Sequence, residues 1–213
     1  MELTLLKNDK KRKERTVELF GLTRSGKTTF LKKLIMQGKE GMILYNIAFS
    51  KKLISFLSYL FTHASNTLYL FYKLNTNWIN LEELSAKNYF QVFLMRNSYL
   101  GAVLSKYNIL KGKNSEFFVD EYLIQSIFMI FHKRSSEKEL LEVLKRFPPS
   151  GKILIIESSV NDRYDRIKNT RFPGEQIHRN YSVAWMKNSE FNYKIIKNIL
   201  IRNYGPVEKN PEL

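Results

Sequence analysis

A chain of 213 residues, 44% hydrophobic and 14% aromatic, is long enough to bury one core, or one core with a substantial insertion. It contains no cysteine, which excludes a disulfide framework and a thiolate metal site, and its three histidines (His63, His132 and His178) are too far apart to suggest zinc. The formal net charge of +15 fits nucleic acid, an anionic membrane surface or a phosphorylated substrate, but the basic residues are spread along the chain and so point to none of these alone.

Met1 to Arg15 lacks the apolar core followed by small residues that marks a signal peptide, and its basic cluster Lys7 to Arg15 reads as a solvated lead-in. Thr16-Val17-Glu18-Leu19-Phe20 then reads as the first strand. Directly after it, Gly21-Leu22-Thr23-Arg24-Ser25-Gly26-Lys27-Thr28 fits G-x-x-x-x-G-K-[ST], the phosphate-binding P-loop. Phe30, Leu31, Leu34 and Ile35 follow at helical spacing, with Gly38 as a stop. This context gives the motif its meaning. Two glycines let the backbone turn several N–H groups towards one point, and the helix N-terminus adds positive potential there. Lys27 is placed to reach the β- and γ-phosphates of a nucleoside triphosphate, and the Thr28 hydroxyl to hold Mg²⁺. The expected nucleotide-contacting set is Gly21, Thr23, Arg24, Ser25, Gly26, Lys27, Thr28 and Thr29.

Met42 to Ile47 is a candidate second strand, and residues 48–112 form a helical, aromatic-rich insertion on the substrate side. Within it, Leu53 to Tyr72 carries no acidic residue, lysine or arginine, but its serines, threonines and asparagine argue for two buried helices broken at Ala64-Ser65-Asn66 rather than for a membrane span. Leu84 to Leu104 is apolar on nearly every side, which predicts a deeply packed helix. Arg96 interrupts it, and two readings stay open: a stem buried with its head at the surface, or a guanidinium presented to an anionic or hydroxylated substrate.

Glu116 to Val119 forms an apolar strand that ends in two carboxylates, Asp120 and Glu121. A helix follows through Phe128, then Ser136 with Glu139 predicts a capping box for another helix running to Phe147. Pro148-Pro149-Ser150-Gly151 ends that helix, and Lys152 to Ile156 is a buried strand. Strand, helices and strand describe a βαβ crossover, so the fold class is α/β, a three-layer P-loop fold with a mainly parallel sheet. Beyond this strand, residues 158–174 carry Arg163, Arg166 and Arg171 at the sheet edge where ligands sit in open α/β sheets. Gln176 to Lys187 is a final core helix with Ile177, Tyr181, Ala184 and Trp185 on one face and a pattern that extends to Ile199. No closing strand is evident, and residues 205–213 read as a loose tail.

The glycine loop, the acid pair Asp120-Glu121 and the arginine segment, in that order, resemble the P-loop kinases of small molecules, the group that includes thymidylate and adenylate kinases. The resemblance covers the chain as an architecture, and only the loop is specific on its own. It implies an ATP- and Mg²⁺-dependent phosphotransferase with a small-molecule acceptor. It further implies a lid whose arginines, here Arg163, Arg166 and Arg171, close over the phosphates. Lys27, Asp120 and Glu121 become catalytic, with Thr28 and Asp120 at the metal and Arg96 as a candidate acceptor contact. Competing readings are an AAA-like ATPase using Asp120-Glu121 as its Walker-B pair, and a nucleic-acid-associated NTPase. A cytoplasmic protein is expected, and a homodimer is left open.

Overall fold

The computed structural model describes residues 2–7, 16–22, 25–42, 49–77, 86–110, 116–120, 122–149, 151–159, 161–163, 175–204 and 207–209. The elements, in order, are β1 (Glu2–Lys7), β2 (Thr16–Phe20), α1 (Lys27–Met36), β3 (Gly41–Met42), α2 (Phe49–Thr62), α3 (Ala64–Thr76), α4 (Ala86–Leu110), β4 (Phe117–Val119), α5 (Leu123–Ile130), α6 (Glu137–Arg146), β5 (Lys152–Glu157), α7 (Glu175–Asn203) and β6 (Val207–Lys209). The strands form one open mixed sheet in the order β3-β4-β2-β5-β1-β6. β2 lies between β4 and β5 and is parallel to both, while β1 runs antiparallel to β5 and to β6. The expected crossover is present: β4 and β5, joined through α5 and α6, flank the same strand.

Period-two alternation decides which residues face which layer. Leu5, Val17, Leu19, Phe118, Leu154 and Ile156 point to one side, where Leu31 and Leu34 of α1 cover them. Leu6, Phe20, Phe117, Val119, Ile153 and Ile155 point to the other, against α3 to α7. Leu70, Leu74, Leu100 and Leu104 belong to this second cluster, so the helical insertion shares the core of the sheet. α6 starts as its sequence dictates. Ser136 Oγ accepts from Glu139 N–H at 3.3 Å and Glu139 Oε2 accepts from Ser136 N–H at 3.0 Å, a capping box in which the cap residue is worth about 1 kcal/mol.

Four expectations change. Thr16–Phe20 is not the first strand, because Glu2–Lys7 pairs along its whole length with β5, while residues 8–15 of the basic cluster lie outside those described. The tail is not loose throughout: Val207–Lys209 pairs with β1, and Lys7 Nζ meets Glu208 Oε2 at 2.9 Å. The helix break falls at His63, with Ala64, Ser65 and Asn66 already in the first turn of α3. α4 is not packed on every side, since Phe90 and Leu94 stand exposed. The second strand starts at Gly41, and residues 43–48 lie outside those described, as do the side chains of Ile177, Tyr181, Ala184 and Trp185. Among the described residues no helix is long and apolar enough to cross a membrane.

Candidate active site

The glycine loop leaves the carboxyl end of β2, an inner strand of the parallel set β3-β4-β2-β5. Gly21 is required sterically, because a Cβ there would strike the Ile156 carbonyl oxygen and lie 2.8 Å from Ser25 Oγ. Gly26 has φ +98°, a left-handed conformation that favours glycine, and it stands at the N-cap of α1. Ser25 N–H bonds Leu22 O at 3.1 Å, and Phe30 N–H bonds Gly26 O at 2.9 Å, closing the first helical turn. Gly26 has no side chain to cap the helix and the first turn of α1 carries no acidic residue, a helix start suited to an anion.

Lys27 is buried, and its Nζ donates to Gly21 O at 2.8 Å and Leu22 O at 3.0 Å. The ammonium is therefore folded back across the mouth of its own loop. Thr28 Oγ1 donates to Asp120 Oδ2. Ninety-two residues separate these two in sequence, and the parallel pairing of β2 with β4 brings them together. Hydroxyl and carboxylate oxygens are the hard donors that Mg²⁺ prefers, and two of them already converge on one point. Thr28 and Asp120 are the residues that would hold the metal expected from the sequence. Ser25 is buried beneath the loop, and Thr29 is exposed on α1. Thr23, Arg24 and Glu121 lie outside the described residues.

Two buried charges that sequence reasoning missed support Asp120. Lys106 on α4 is fully buried, and its Nζ donates to the Asp120 carbonyl. Glu18, in the middle of β2 and also fully buried, accepts the Ile124 N–H at 2.5 Å. That N–H belongs to the first turn of α5, whose N-cap Tyr122 supplies no side-chain bond. A carboxylate there satisfies an orphan donor and complements the positive end of the helix. The available signals were weak: one acidic residue inside an apolar strand, and one lysine within the packed run Leu100 to Leu110.

No protein-family model, curated protein or solved structure matches the chain. The site therefore has to be read from its own geometry.

Arg163 is 5% exposed and its Nη2 pairs with Glu190 Oε1 on α7 at 2.7 Å, with Arg163 N–H bonded to Ser159 O at 3.2 Å. It is thus tied to the scaffold in this conformation, while Arg166 and Arg171 lie outside the described residues. Arg96 is 1% exposed, with neither its stem nor its head at the surface. Its Nη2 reaches Ile130 O at 3.4 Å, and it stands beside His132, whose imidazole is pushed down to about 2 first by burial and then by the Arg96 charge. The two residues form a buried pair beyond the end of α5. A separate cavity of about 200 Å³ is lined by Tyr59, His63, Asn66, Tyr107, Arg146 and Phe147, with Leu123 of α5 at its edge. Tyr107 also packs its ring 6.0 Å from Tyr122, two residues beyond Asp120.

Proposed function

We propose that the chain is an ATP-dependent phosphotransferase of the P-loop kinase type that moves the γ-phosphoryl group of Mg-ATP to a small-molecule hydroxyl or phosphate. The observation that carries this reading is the meeting of Thr28 with Asp120, beside a lysine folded onto a glycine loop at a helix N-terminus. Each part answers a need of phosphoryl transfer, in which positioning and charge neutralisation are most of the catalysis. The N–H groups at the start of α1 receive the triphosphate oxygens. Lys27 turns from the Gly21 and Leu22 carbonyls to the β- and γ-phosphates. Thr28 and Asp120 would hold Mg²⁺, which would supply charge neutralisation at the triphosphate.

Asp120 orients Thr28 towards that position, while Lys106 fixes the backbone of Asp120. In the reaction the bond from the γ-phosphorus to its bridging oxygen breaks and a bond to the acceptor oxygen forms. The acceptor's proton passes to a carboxylate at the end of β4, a role assigned to Glu121. Arg166, Arg171 and Arg163, the last after release from Glu190, offset charge on the transferred group. An acceptor ring would find aromatic walls in the cavity beside Tyr107, whose volume suits a small molecule rather than a polymer.

Lys27→Ala tests this. With the fold intact by circular dichroism, Mg-ATP binding measured by calorimetry should fall sharply, and ADP release across a panel of nucleosides, nucleotides and sugars should vanish. Unchanged affinity and turnover would defeat the assignment. ADP release by the wild-type chain at full rate with no acceptor would instead favour an ATPase.

A further inference from the structure

The helical insertion presents an apolar surface that no described element covers. On α2, Leu53, Ile54, Leu57 and Phe61 are exposed, Ile54 at 70% and Phe61 at 83%. At 100° per residue these four lie within an arc of about 100°, and the buried Ser55 and Tyr59 lie on the opposite side. Leu68 and Tyr72 repeat the pattern on α3, as do Phe90 and Leu94 on α4. The three helices that carry these stripes touch one another. Asn75 of α3 bonds Asn97 of α4 at 3.3 Å, and Phe56 of α2 meets Phe71 of α3 with ring centroids 6.2 Å apart. Phe56 also flanks Gly101 of α4.

The stretch that carries α2 and α3 is one-sided in charge, while Glu82 and Glu83 precede α4. From Gly41 to Leu81 there is no aspartate or glutamate, and the only ionised side chains are Lys51, Lys52 and Lys73. We propose that this face of α2, α3 and α4 docks the protein onto an anionic lipid bilayer, lying in the interface without crossing it. A grouping of exposed large apolar side chains on one side of a fold marks an interaction surface. Charge complementarity selects the occupant. A second copy would bring another +15 against the first, whereas an anionic leaflet attracts a basic protein and accepts aromatic and aliphatic side chains at the level of its headgroups. Among the described residues no helix is long and apolar enough to span, and the proposed contact is interfacial. The proposal does not depend on the phosphoryl-transfer reading.

The test is sedimentation with vesicles of phosphatidylcholine containing 30 mol% phosphatidylserine, about the composition of an anionic leaflet. The wild-type chain should bind these vesicles, bind pure phosphatidylcholine at least about tenfold more weakly, and be released as salt rises. The double variant Ile54→Glu, Phe61→Glu changes only exposed positions. It should keep its melting temperature and its ATP affinity while losing binding by about tenfold or more. No binding of the wild type to the phosphatidylserine vesicles would overturn the proposal, and so would equal binding by the double variant. A dimer seen by light scattering that the same two changes dissociate would assign the face to a second copy and overturn it as well.

Discussion

Lowering the pH from 7 to 4.5 should destabilise this protein through His132, and the size of the effect follows from where that residue sits. His132 is buried just after α5, with its N–H directed to Asn77 O at 3.3 Å and its carbonyl accepting from Asn188 Nδ2 at 2.9 Å. Burial and then the charge of Arg96 hold its imidazole down at about 2, against 6.5 for a free histidine. The unfolded chain therefore takes up a proton that the folded chain refuses. This contribution to stability is complete above about pH 6.5 and drains away as the pH falls from there towards 2. At pH 4.5 the unfolded state has gained about 3 kcal/mol from this one group. Urea unfolding at pH 7.0 and 4.5, on the wild type and on His132→Gln, isolates the effect, since carboxylate titration is common to both. The wild type should lose about 3 kcal/mol more than the variant. Equal losses would refute the argument. An imidazole NMR titration of the wild type gives an independent reading, in which the His132 resonances should stay fixed between pH 8 and 5.

Asp120→Asn keeps the size of the side chain and an oxygen for Thr28 but removes a hard anionic donor, so turnover should require more Mg²⁺ and fall on the order of a hundredfold at fixed metal; an unchanged Mg²⁺ dependence of ADP release would remove Asp120 from the metal site. Arg163→Ala breaks a 2.7 Å ion pair that is buried on the arginine side, and should cost about 2 kcal/mol or more in urea unfolding, with non-additive coupling to Glu190→Gln in a double-mutant cycle. Additive effects together with a large fall in kcat would assign Arg163 to the phosphates instead of to the scaffold.

The segments legible in the sequence are those whose signals are local. The strand–glycine–helix run at residues 16–36, the capping box of Ser136 and Glu139, and the buried strand after Pro148-Pro149 each carry their own start and stop residues within a few positions. β1 and β6 were not legible because their partners are remote. Leu3 to Leu6 becomes a strand by pairing with residues about 150 positions away, and Val207–Lys209 is three residues long, with no periodicity to read. The candidate site divides in the same way. Gly21, Gly26, Lys27 and Thr28 are spelled out by one motif, whereas Glu18 and Lys106 owe their roles to tertiary placement. Hydropathy also misled along α4, where an apolar residue counts the same whether the helix turns it inward, as at Leu100, or outward, as at Phe90.

The placement of Glu18 and Lys106 explains why so short a strand as β4 can hold a carboxylate in register. β4 has three residues, and its sheet bonds end at Val119, one position before the functional side chain. A chain leaving a sheet is free to move unless its next backbone groups are held. Here the carbonyl of Asp120 is held by a lysine from α4, and the N–H of Ile124 by a glutamate from β2, so the turn between strand and helix is gripped at both ends by fully buried groups of opposite charge. Glu18 belongs to the strand that leads into the glycine loop, so one rigid element positions both Thr28 and the start of α5. A shift of one residue in the β2–β4 register would carry Glu18 away from Ile124 and Thr28 away from Asp120 together. Moving buried charges off their partners is costly, which makes such a slip far harder than it would be in an all-apolar strand of the same length. The polar residues of this core therefore act in place of the missing length of β4.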